Sequence, residues 1–364
     1  MLTERQLNRA LLARQCLLER ASLSVPRALE AIGGIQAQYA PSSYVGLWSR
    51  LNGFERADLT RALERRTVVQ GTLMRATIHL VSARDYALIA AAIREGRRSW
   101  WLAVTKHPDE SAVRDAAARM RALLAEGPKK RAELQKTLGV DNTTFAGIHL
   151  WVDVLRIPPS GTWEARRADL FAAADDWLGS GKSPTPDSGG ANDRVERPRV
   201  PTREEGLELL VRRYLGGFGP STVKDLANWS GLPQSAFSGT IAGIRLRRFR
   251  DERGEELIDL PRAPIPDADS PAPPRFLPTW DATLLVHARR TQILPERHRA
   301  RIFSTKTPQS VSTFLLDGRV AGTWRESGAR VQLEPFERPA PASKRALEEE
   351  AHRLETFLAP GSAA

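Results

Sequence analysis

Two glutamines separated by one residue, Gln36 and Gln38, are the residues of this chain whose types and spacing best suit chemistry. Side chains at positions i and i+2 project to the same side of an extended backbone, whereas on a helix they point nearly opposite ways. Gly33 and Gly34 precede the pair and Pro41 follows it, which disfavours a continuous helix through this stretch. The sequence therefore predicts a loop that presents two neutral amides in one direction.

A pair of amides offers a limited kind of catalysis. A glutamine carbonyl accepts a hydrogen bond and its NH2 group donates one, but neither takes up a proton usefully near neutral pH. Two of them could position a water molecule and stabilise a developing charge with oriented dipoles. Without further context, glutamines in a loop often do no more than satisfy backbone groups.

The sequence argues against the common catalytic and metal sites. Cys16 is the only cysteine, which excludes an internal disulfide and a cysteine-based zinc site. The six histidines lack the spacing of zinc hydrolases, and no G-x-S-x-G motif occurs. The run Gly179-Ser180-Gly181-Lys182-Ser183 lacks the first glycine of a phosphate-binding loop, because position 176 is Asp176. We therefore expect neither a metal nor a cofactor.

Two other residues allow a catalytic interpretation. Asp281, directly after Trp280, could serve as the base of a glycosylase, although a structural hydrogen bond is the more common role for such a pair. His79 lies within an apparent strand, and packing or capping explains it better than catalysis.

The charge of the chain indicates a polyanionic partner. Its 364 residues include 54 Lys and Arg against 43 Asp and Glu, a net charge of +11, which favours nucleic acid. Arginine enrichment from a high-GC genome is an alternative source of part of this surplus. No apolar run approaches the roughly 18 residues of a membrane span, and no signal peptide is evident. We expect a cytoplasmic, nucleoid-associated protein with no membrane contact.

Helices followed by a strand pair recur along the chain, which is the order of a winged helix-turn-helix. The predicted fold class is α+β, predominantly α, with three tandem winged helix-turn-helix modules around a basic DNA-binding channel. Residues 1–105 form the first module and carry the glutamine loop. Residues 106–200 form the second and end in a polar loop over 180–200. Residues 201–364 form the third, with additional hairpins and a C-terminal helix.

Several individual elements carry this prediction. Apolar periodicity indicates a helix with Tyr44, Leu47, Trp48 and Leu51 on one face, and another helix over 142–154. A turn and a strand are predicted over 157–163, and a helix-turn-helix over 223–233. Hairpins are predicted over 244–260 and 311–325, the second turning at Asp317-Gly318.

Four segments resemble one known family. Ile35-Gln36-Ala37-Gln38, the runs 46–51 and 71–81, and the run 317–324 are similar to the AlkZ/YcaQ family of bacterial DNA glycosylases. The resemblance extends over essentially the whole chain, with its segments in the family's order. It implies tandem winged helices around a DNA channel and hydrolysis of the N-glycosidic bond of N7-alkylated purines, including unhooking of interstrand crosslinks.

The same resemblance assigns Gln36 and Gln38 to the catalytic positions. The Gln-apolar-Gln form resembles the AlkZ branch, which is associated with self-resistance in producers of DNA-alkylating natural products. The Gln-apolar-Asp form is linked to broader repair, so a glutamine at position 38 implies a narrower substrate range. We expect monofunctional hydrolysis confined to cationic lesions, since no lysine lies near the motif to form a Schiff base.

Double-stranded DNA carrying alkylated purines or crosslinks is the expected partner, and a monomer the expected state. The candidate DNA contacts are Tyr39, Ser42, Ser43, Arg75, Thr77, Arg245, Arg247, Arg289, Arg290 and Arg319. The main alternative is a non-enzymatic winged-helix transcriptional regulator. Regulators of that kind are usually shorter and dimeric, and this sequence shows no dimerisation helix.

Overall fold

The first helices begin and end where local side-chain signals place them. Thr3 accepts a hydrogen bond from the Gln6 backbone amide and donates its own amide to the Gln6 side chain, which forms a capping box. The second helix has Pro26 in its first turn and ends at Gly33, whose φ of 81° is the left-handed conformation that glycine tolerates. These helix ends match the sequence prediction.

The computed structural model describes residues 1–106, 109–179, 200–285, 291–303, 310–328 and 330–359. The predicted polar loop over 180–200 therefore lies outside the described residues, except for Val200. The N-terminal elements are α1 Glu4–Arg14, α2 Val25–Ile32, β1 Ile35–Gln36, α3 Ala40–Trp48, α4 Arg56–Glu64, β2 Val68–Thr72, β3 Ile78–Ser82 and α5 Ala83–Thr105. The middle elements are α6 Glu110–Ala125, β4 Lys129–Lys130, α7 Arg131–Leu138, α8 Asn142–Ile148, β5 Val154–Arg156, β6 Leu170–Ala173 and α9 Ala174–Gly179.

The C-terminal elements alternate short helices with antiparallel hairpins. They are α10 Arg203–Phe218, α11 Val223–Ser230, α12 Ser238–Gly243, β7 Arg247–Arg250, β8 Glu256–Asp259, β9 Arg275–Leu277, α13 Ala282–Leu285, α14 Arg299–Ile302, β10 Thr313–Leu316, β11 Arg319–Ser327, β12 Arg330–Pro335 and α15 Pro341–Leu358. Short 3-10 turns cover Met74–Ala76, Gln234–Phe237 and Glu296–His298.

Three antiparallel sheets organise the described strands. One has the order β1-β3-β2-β5-β6-β4, one has the order β12-β11-β10-β9, and the third is the β7-β8 hairpin. Strand β2 lies between β3 and β5, and Gly71 is paired with both His79 and Leu155. The first sheet therefore joins the segment that carries the glutamines to the segment that follows α8.

Helix α10 is packed tightly against the long helix α5. A Cβ atom on Gly206 would overlap the backbone carbonyl of Leu88 and would lie 2.9 Å from Ala92. The fully buried Leu210 and Tyr214 of α10 belong to the same apolar core as Ile93 of α5. This core extends across the chain, because it also includes residues of α1 and of the C-terminal hairpins.

Three predicted element boundaries were wrong. Helix α8 ends at Ile148 rather than at 154, and Val154 begins strand β5. Of the turn and the strand predicted over 157–163, only the turn is present, because Pro158 and Pro159 have no N–H group to donate to a sheet. Helix α3 begins at Ala40, with a proline in its first turn, and ends at Trp48. Leu51 therefore lies beyond the helix.

The fold class is mixed α+β. About half of the chain is helical, and the strands form small antiparallel sheets. The predicted hairpins are present as β7-β8 and as β10-β11, which turns at Asp317-Gly318 as expected. Strand β12, which extends this second hairpin, was not predicted. Within the described residues, every helix is too short or too polar to span a bilayer.

Candidate active site

The glutamine loop connects α2 to α3 along the edge of the first sheet. Gly33 and Gly34 both have positive φ, near 80°, and turn the chain away from α2. A side chain on Gly34 would lie 3.0 Å from the Leu80 carbonyl, so the loop can approach β3 this closely only with glycine there. The backbone then becomes extended, and Gln36 is paired with His79 of β3. The extended conformation expected for the pair is present at Gln36.

Both glutamine carbonyls are held by the same neighbouring segment. The Oε1 atom of Gln36 accepts a hydrogen bond from Arg75 Nη2 at 2.8 Å, and Oε1 of Gln38 accepts one from the Ile78 backbone amide at 3.1 Å. Guanidinium and backbone N–H groups only donate, so the amide atoms that face them must be oxygens. Each NH2 group therefore points away from its anchor, and each oxygen keeps a second lone pair.

The two glutamines differ in exposure. Gln36 is 6% exposed, whereas Gln38 lies at the surface. Ala37 between them is buried, and its backbone amide donates to the Ile78 carbonyl at 2.8 Å. The loop is thus fixed at its centre, with the Gln36 amide buried and the Gln38 amide exposed to solvent.

Arg75 lies in a left-handed turn next to the loop. Its φ is 53° and that of Ala76 is 55°, a conformation uncommon for residues other than glycine. Its second terminal nitrogen, Nη1, donates to the backbone carbonyl of Trp229. Burial of the guanidinium lowers the pKa of Arg75 to about 10.

His79, opposite Gln36, is neutral at physiological pH. Its side chain is buried, and burial, with a smaller contribution from the charge of Arg75, lowers the pKa of His79 to about 3. Its Nδ1 atom lies 3.0 Å from the Thr77 carbonyl, which defines Nδ1 as the protonated nitrogen. The Thr77 hydroxyl donates to the Met74 carbonyl at 3.0 Å. His79 and Thr77 therefore both stabilise the turn that carries Arg75.

A small cavity lies behind Gln36. Its walls include Gln36, Ser42, Arg50, Thr279 and Asp281. The Ser42 and Thr279 hydroxyls are hydrogen-bonded to each other at 2.7 Å. The cavity volume of about 10 Å³ is close to the smallest that holds one water molecule and far below the size of a purine.

Asp281, the other carboxylate considered from the sequence, forms a buried ion pair. Its two oxygens accept from Arg50 at 3.0 and 3.1 Å, and one also accepts from the Thr283 amide and hydroxyl. Both residues have side chains only 3% exposed. This geometry favours a structural role for Asp281 beneath the loop.

The candidate contacts near the loop divide by exposure. Tyr39 is 45% exposed, and its hydroxyl accepts from Arg166 at 3.0 Å. Ser42 and Ser43 are buried within α3, and Ser43 Oγ has no hydrogen-bond partner in the described part of the chain. Only Tyr39 of these three presents a polar group at the surface.

The distant arginine candidates also lie in different environments. Arg245 is exposed, whereas Arg247 is half-buried in an ion pair with Asp259 at 2.7 Å. Arg319 is exposed and paired with Glu4. Arg289 and Arg290 lie outside the described residues. The structure places Arg75 and Thr77 beside the glutamines and places Arg245, Arg247 and Arg319 elsewhere on the molecule.

Sequence reasoning missed three residues of this region. Arg166 contacts Tyr39, Thr279 contacts Ser42, and the Trp229 carbonyl contacts Arg75. Each partner is more than 100 residues away in the sequence, so local spacing contains no signal for it. An alignment of related sequences could have revealed covarying positions.

Comparison with known proteins identifies the class. The model of the family described as DNA glycosylase AlkZ-like matches residues 29–357, and the chain belongs to this family of DNA glycosylases. Among solved structures, the chain is similar to the Streptomyces sahachiroi DNA glycosylase AlkZ, with a TM-score of 0.76 and 17% sequence identity. That similarity covers 98% of this chain and 96% of the other, and at this identity it shows a shared fold. No curated protein matched the chain.

Proposed function

We propose that this chain is a monofunctional DNA glycosylase that hydrolyses the N-glycosidic bond of cationic N7-alkylated purines. The observation that carries the proposal is the pair of glutamines, Gln36 and Gln38, whose carbonyls are anchored side by side on the 75–78 segment. Membership in a DNA glycosylase family supplies the substrate class, which is DNA.

Neutral amides suffice when the leaving group is already charged. In an N7-alkylated purine the C1′–N9 bond breaks with its electron pair moving to the base, which leaves as a neutral molecule. The sugar then carries oxocarbenium-like charge, and water adds to C1′ and loses a proton to solvent. Gln36 and Gln38 would hold that water through the second lone pair of each carbonyl and would donate NH2 groups to phosphate or sugar oxygens. Normal bases, which need protonation to leave, should not react.

The size of the cavity beside Gln36 favours an open lesion site. A purine cannot enter a volume of about 10 Å³, and Gln38 lies at the surface. We infer that the lesion is attacked in a channel rather than in a closed flipping pocket. A channel of this kind accommodates bulky adducts, which supports a role in unhooking interstrand crosslinks made by a DNA-alkylating natural product.

The order of elements supports the proposed winged-helix modules. In the middle segment α6, β4, α7, α8, β5 and β6 follow one another as in a winged helix, and α10, α11, α12 and the β7-β8 hairpin do so in the C-terminal segment. We propose that these modules and the first one surround a DNA channel. The ranges of the three modules remain a prediction. The pairing of β2 with β5 joins the first and second modules in one sheet, so no sheet boundary separates these two modules.

The composition of α12 weighs against the alternative of a transcriptional regulator. In the third module this helix occupies the position of a recognition helix, and its sequence is Ser-Gly-Thr-Ile-Ala-Gly. It has no arginine, asparagine or glutamine to read base edges in the major groove. DNA binding by this module would therefore depend on contacts with the sugar-phosphate backbone of DNA, which suits an enzyme that acts without sequence preference.

The direct test is release of free base from duplex DNA that contains N7-methylguanine. Wild-type protein should release the base and leave an abasic site. The Gln36→Ala/Gln38→Ala variant should be about 100-fold slower or worse, since oriented dipoles at a developing charge are worth that much. A duplex with an N7-linked interstrand crosslink, assayed in parallel, tests the unhooking role.

A matched control separates catalysis from general loss of a glutamine. Gln135→Ala removes a partly buried glutamine that bonds Asn142 and Val140, remote in sequence from the loop. This variant should retain wild-type release. If wild-type protein released no base and left crosslinks intact while binding a defined DNA sequence, the regulator would be the correct interpretation.

A further inference from the structure

Arg75 is a half-buried cation without a carboxylate partner among the described residues. Burial lowers its pKa to about 10, and no acidic side chain in the described part of the chain offsets this. Buried charges are normally paired, because desolvation of an unpaired ion is costly. The position of Arg75 therefore requires an explanation other than an ion pair.

Both terminal nitrogens of Arg75 are occupied by protein oxygens. Nη2 donates to Gln36 Oε1 at 2.8 Å, and Nη1 donates to the Trp229 carbonyl. Trp229 lies in the last turn of α11, where backbone carbonyls lack helical partners and form the negative end of the helix dipole. The guanidinium thus bridges the glutamine loop and the end of a helix in another segment.

The route of the Arg75 side chain is also fixed. Gly231, which ends α11 with a φ of 78°, lies directly against it. A Cβ atom on Gly231 would lie 3.0 Å from the Arg75 backbone nitrogen and 3.2 Å from its Cγ. The strained left-handed turn at Arg75 and this close contact together direct the side chain toward Gln36.

We propose, on the basis of the glycosylase function above, that Arg75 is a positioning residue rather than a phosphate contact. It fixes the Gln36 amide with the NH2 group toward the lesion and joins the catalytic loop to α11. A guanidinium cannot accept a hydrogen bond, so it allows only one orientation of the amide. Donation from a cation also polarises the amide, which makes its NH2 group a stronger donor.

Single-turnover kinetics distinguishes positioning from phosphate binding. The Arg75→Met variant should release N7-methylguanine about 100-fold more slowly, the loss typical of a misplaced catalytic group, with DNA affinity and its salt dependence unchanged. Arg75→Lys, which keeps one donor, should recover part of the rate. Weaker binding with a shallower salt dependence and a normal rate in the saturated complex would make Arg75 a phosphate contact and overturn the proposal.

A pair of glycine variants tests the same geometry without removing Arg75. Gly231→Ala and Gly139→Ala both place alanine in a left-handed helix end, but only the first introduces a contact with Arg75. Gly231→Ala should slow base release and Gly139→Ala should not. Equal rates in the two variants would contradict the proposed role of the Arg75 turn.

A spectroscopic measurement decides the inference even if no base is released. In protein labelled with ¹⁵N-glutamine, the NH2 signals of Gln36 are identified by their loss in Gln36→Ala. Arg75→Met should move these signals toward those of exposed glutamines, and Arg75→Lys should move them less. Unchanged signals would refute the contact between the two residues, whereas an inactive wild type with a clear shift would refute only the proposed reaction.

Discussion

The two glutamines of the candidate site and the histidine opposite them do not titrate in the physiological range. Gln36 and Gln38 are amides, and the pKa of His79 is lowered to about 3 by burial. A reaction at this loop would therefore run without an acid or base that changes its charge near neutral pH.

This absence of titration is measurable as a pH profile. The single-turnover rate of N7-methylguanine release should be constant between pH 5 and 7. The Gln38→Asp variant should remain active there but lose activity below about pH 4, as its carboxylate becomes protonated. A wild-type inflection near pH 6.5 would reveal a histidine of ordinary pKa in the mechanism.

Buried histidines should make stability, unlike the rate, depend on pH. His149 is packed against Phe145 and Phe171, and burial, followed by the charges of nearby arginines, lowers its pKa well below 6.5. The unfolded chain takes up protons at His79 and His149 near pH 6.5, which the folded chain does not. Stability is therefore full above pH 6.5 and falls as the pH drops, by about 1.4 kcal/mol per pH unit for each histidine.

Urea unfolding between pH 4.5 and 7.5 measures this slope. His149→Gln should lower overall stability but reduce the slope by about half. A slope unaffected by His149→Gln would show that this histidine is protonated in the folded protein.

At the scale of elements, local signals explain the helix ends but not the contacts between elements. The capping box at Thr3, the stop at Gly33 and the capping box at Thr202 depend on residues within one turn of the helix end. The pairing of β2 with β5 joins Gly71 to Leu155. Such long-range pairing depends on how apolar faces pack in three dimensions, so the sequence predicted the elements and missed the shared sheet.

The candidate site shows the same division. A loop with two amides follows from Gly33, Gly34 and the spacing of the glutamines. The groups that anchor those amides could not be predicted from the sequence, because Arg75 is 39 residues from Gln36 and is itself bound to the Trp229 carbonyl. The basic composition indicated phosphate contacts at arginines in general, whereas Arg247 is engaged by Asp259 within the protein.

The contact between α5 and α10 provides a test at this scale. Gly206→Ala introduces a Cβ atom that overlaps the Leu88 carbonyl, so the two helices must separate. The free energy of unfolding should fall by about 1–3 kcal/mol, which is typical of overpacking.

The control for this test is Gly239→Ala in α12, where a new Cβ atom meets nothing within 4 Å. That variant should be about 0.5–1 kcal/mol more stable, because alanine favours helix over glycine. A stable Gly206→Ala protein would mean that the two helices are not in close contact.

At the scale of the whole molecule, the net charge of +11 should appear as a strong salt dependence of DNA binding. Arg245 and Arg247 are two residues apart but differ in their partners. Arg245→Gln should weaken binding and reduce the slope of log affinity against log salt by about one, with unchanged stability. Arg247→Gln should instead lower the free energy of unfolding by about 1–3 kcal/mol, since it removes a hydrogen bond to the buried Asp259.

Fluorescence anisotropy at several salt concentrations, together with urea unfolding, measures both effects. The two variants serve as controls for each other, because the chemical change is identical. Equal changes in salt dependence would contradict the distinction between the exposed and the ion-paired arginine.

The attachment of α1 has a consequence for synthesis on the ribosome. Leu2 donates its backbone amide to the Arg250 carbonyl, Arg14 is bound to Asp259, and Asn8 donates to the Gly318 carbonyl. These partners are translated more than 230 residues after α1. Until they are present, the apolar face of α1 remains exposed and accessible to chaperones. Nascent chains arrested before residue 250 should be cut by protease within residues 4–14, and chains extended beyond residue 320 should be protected there.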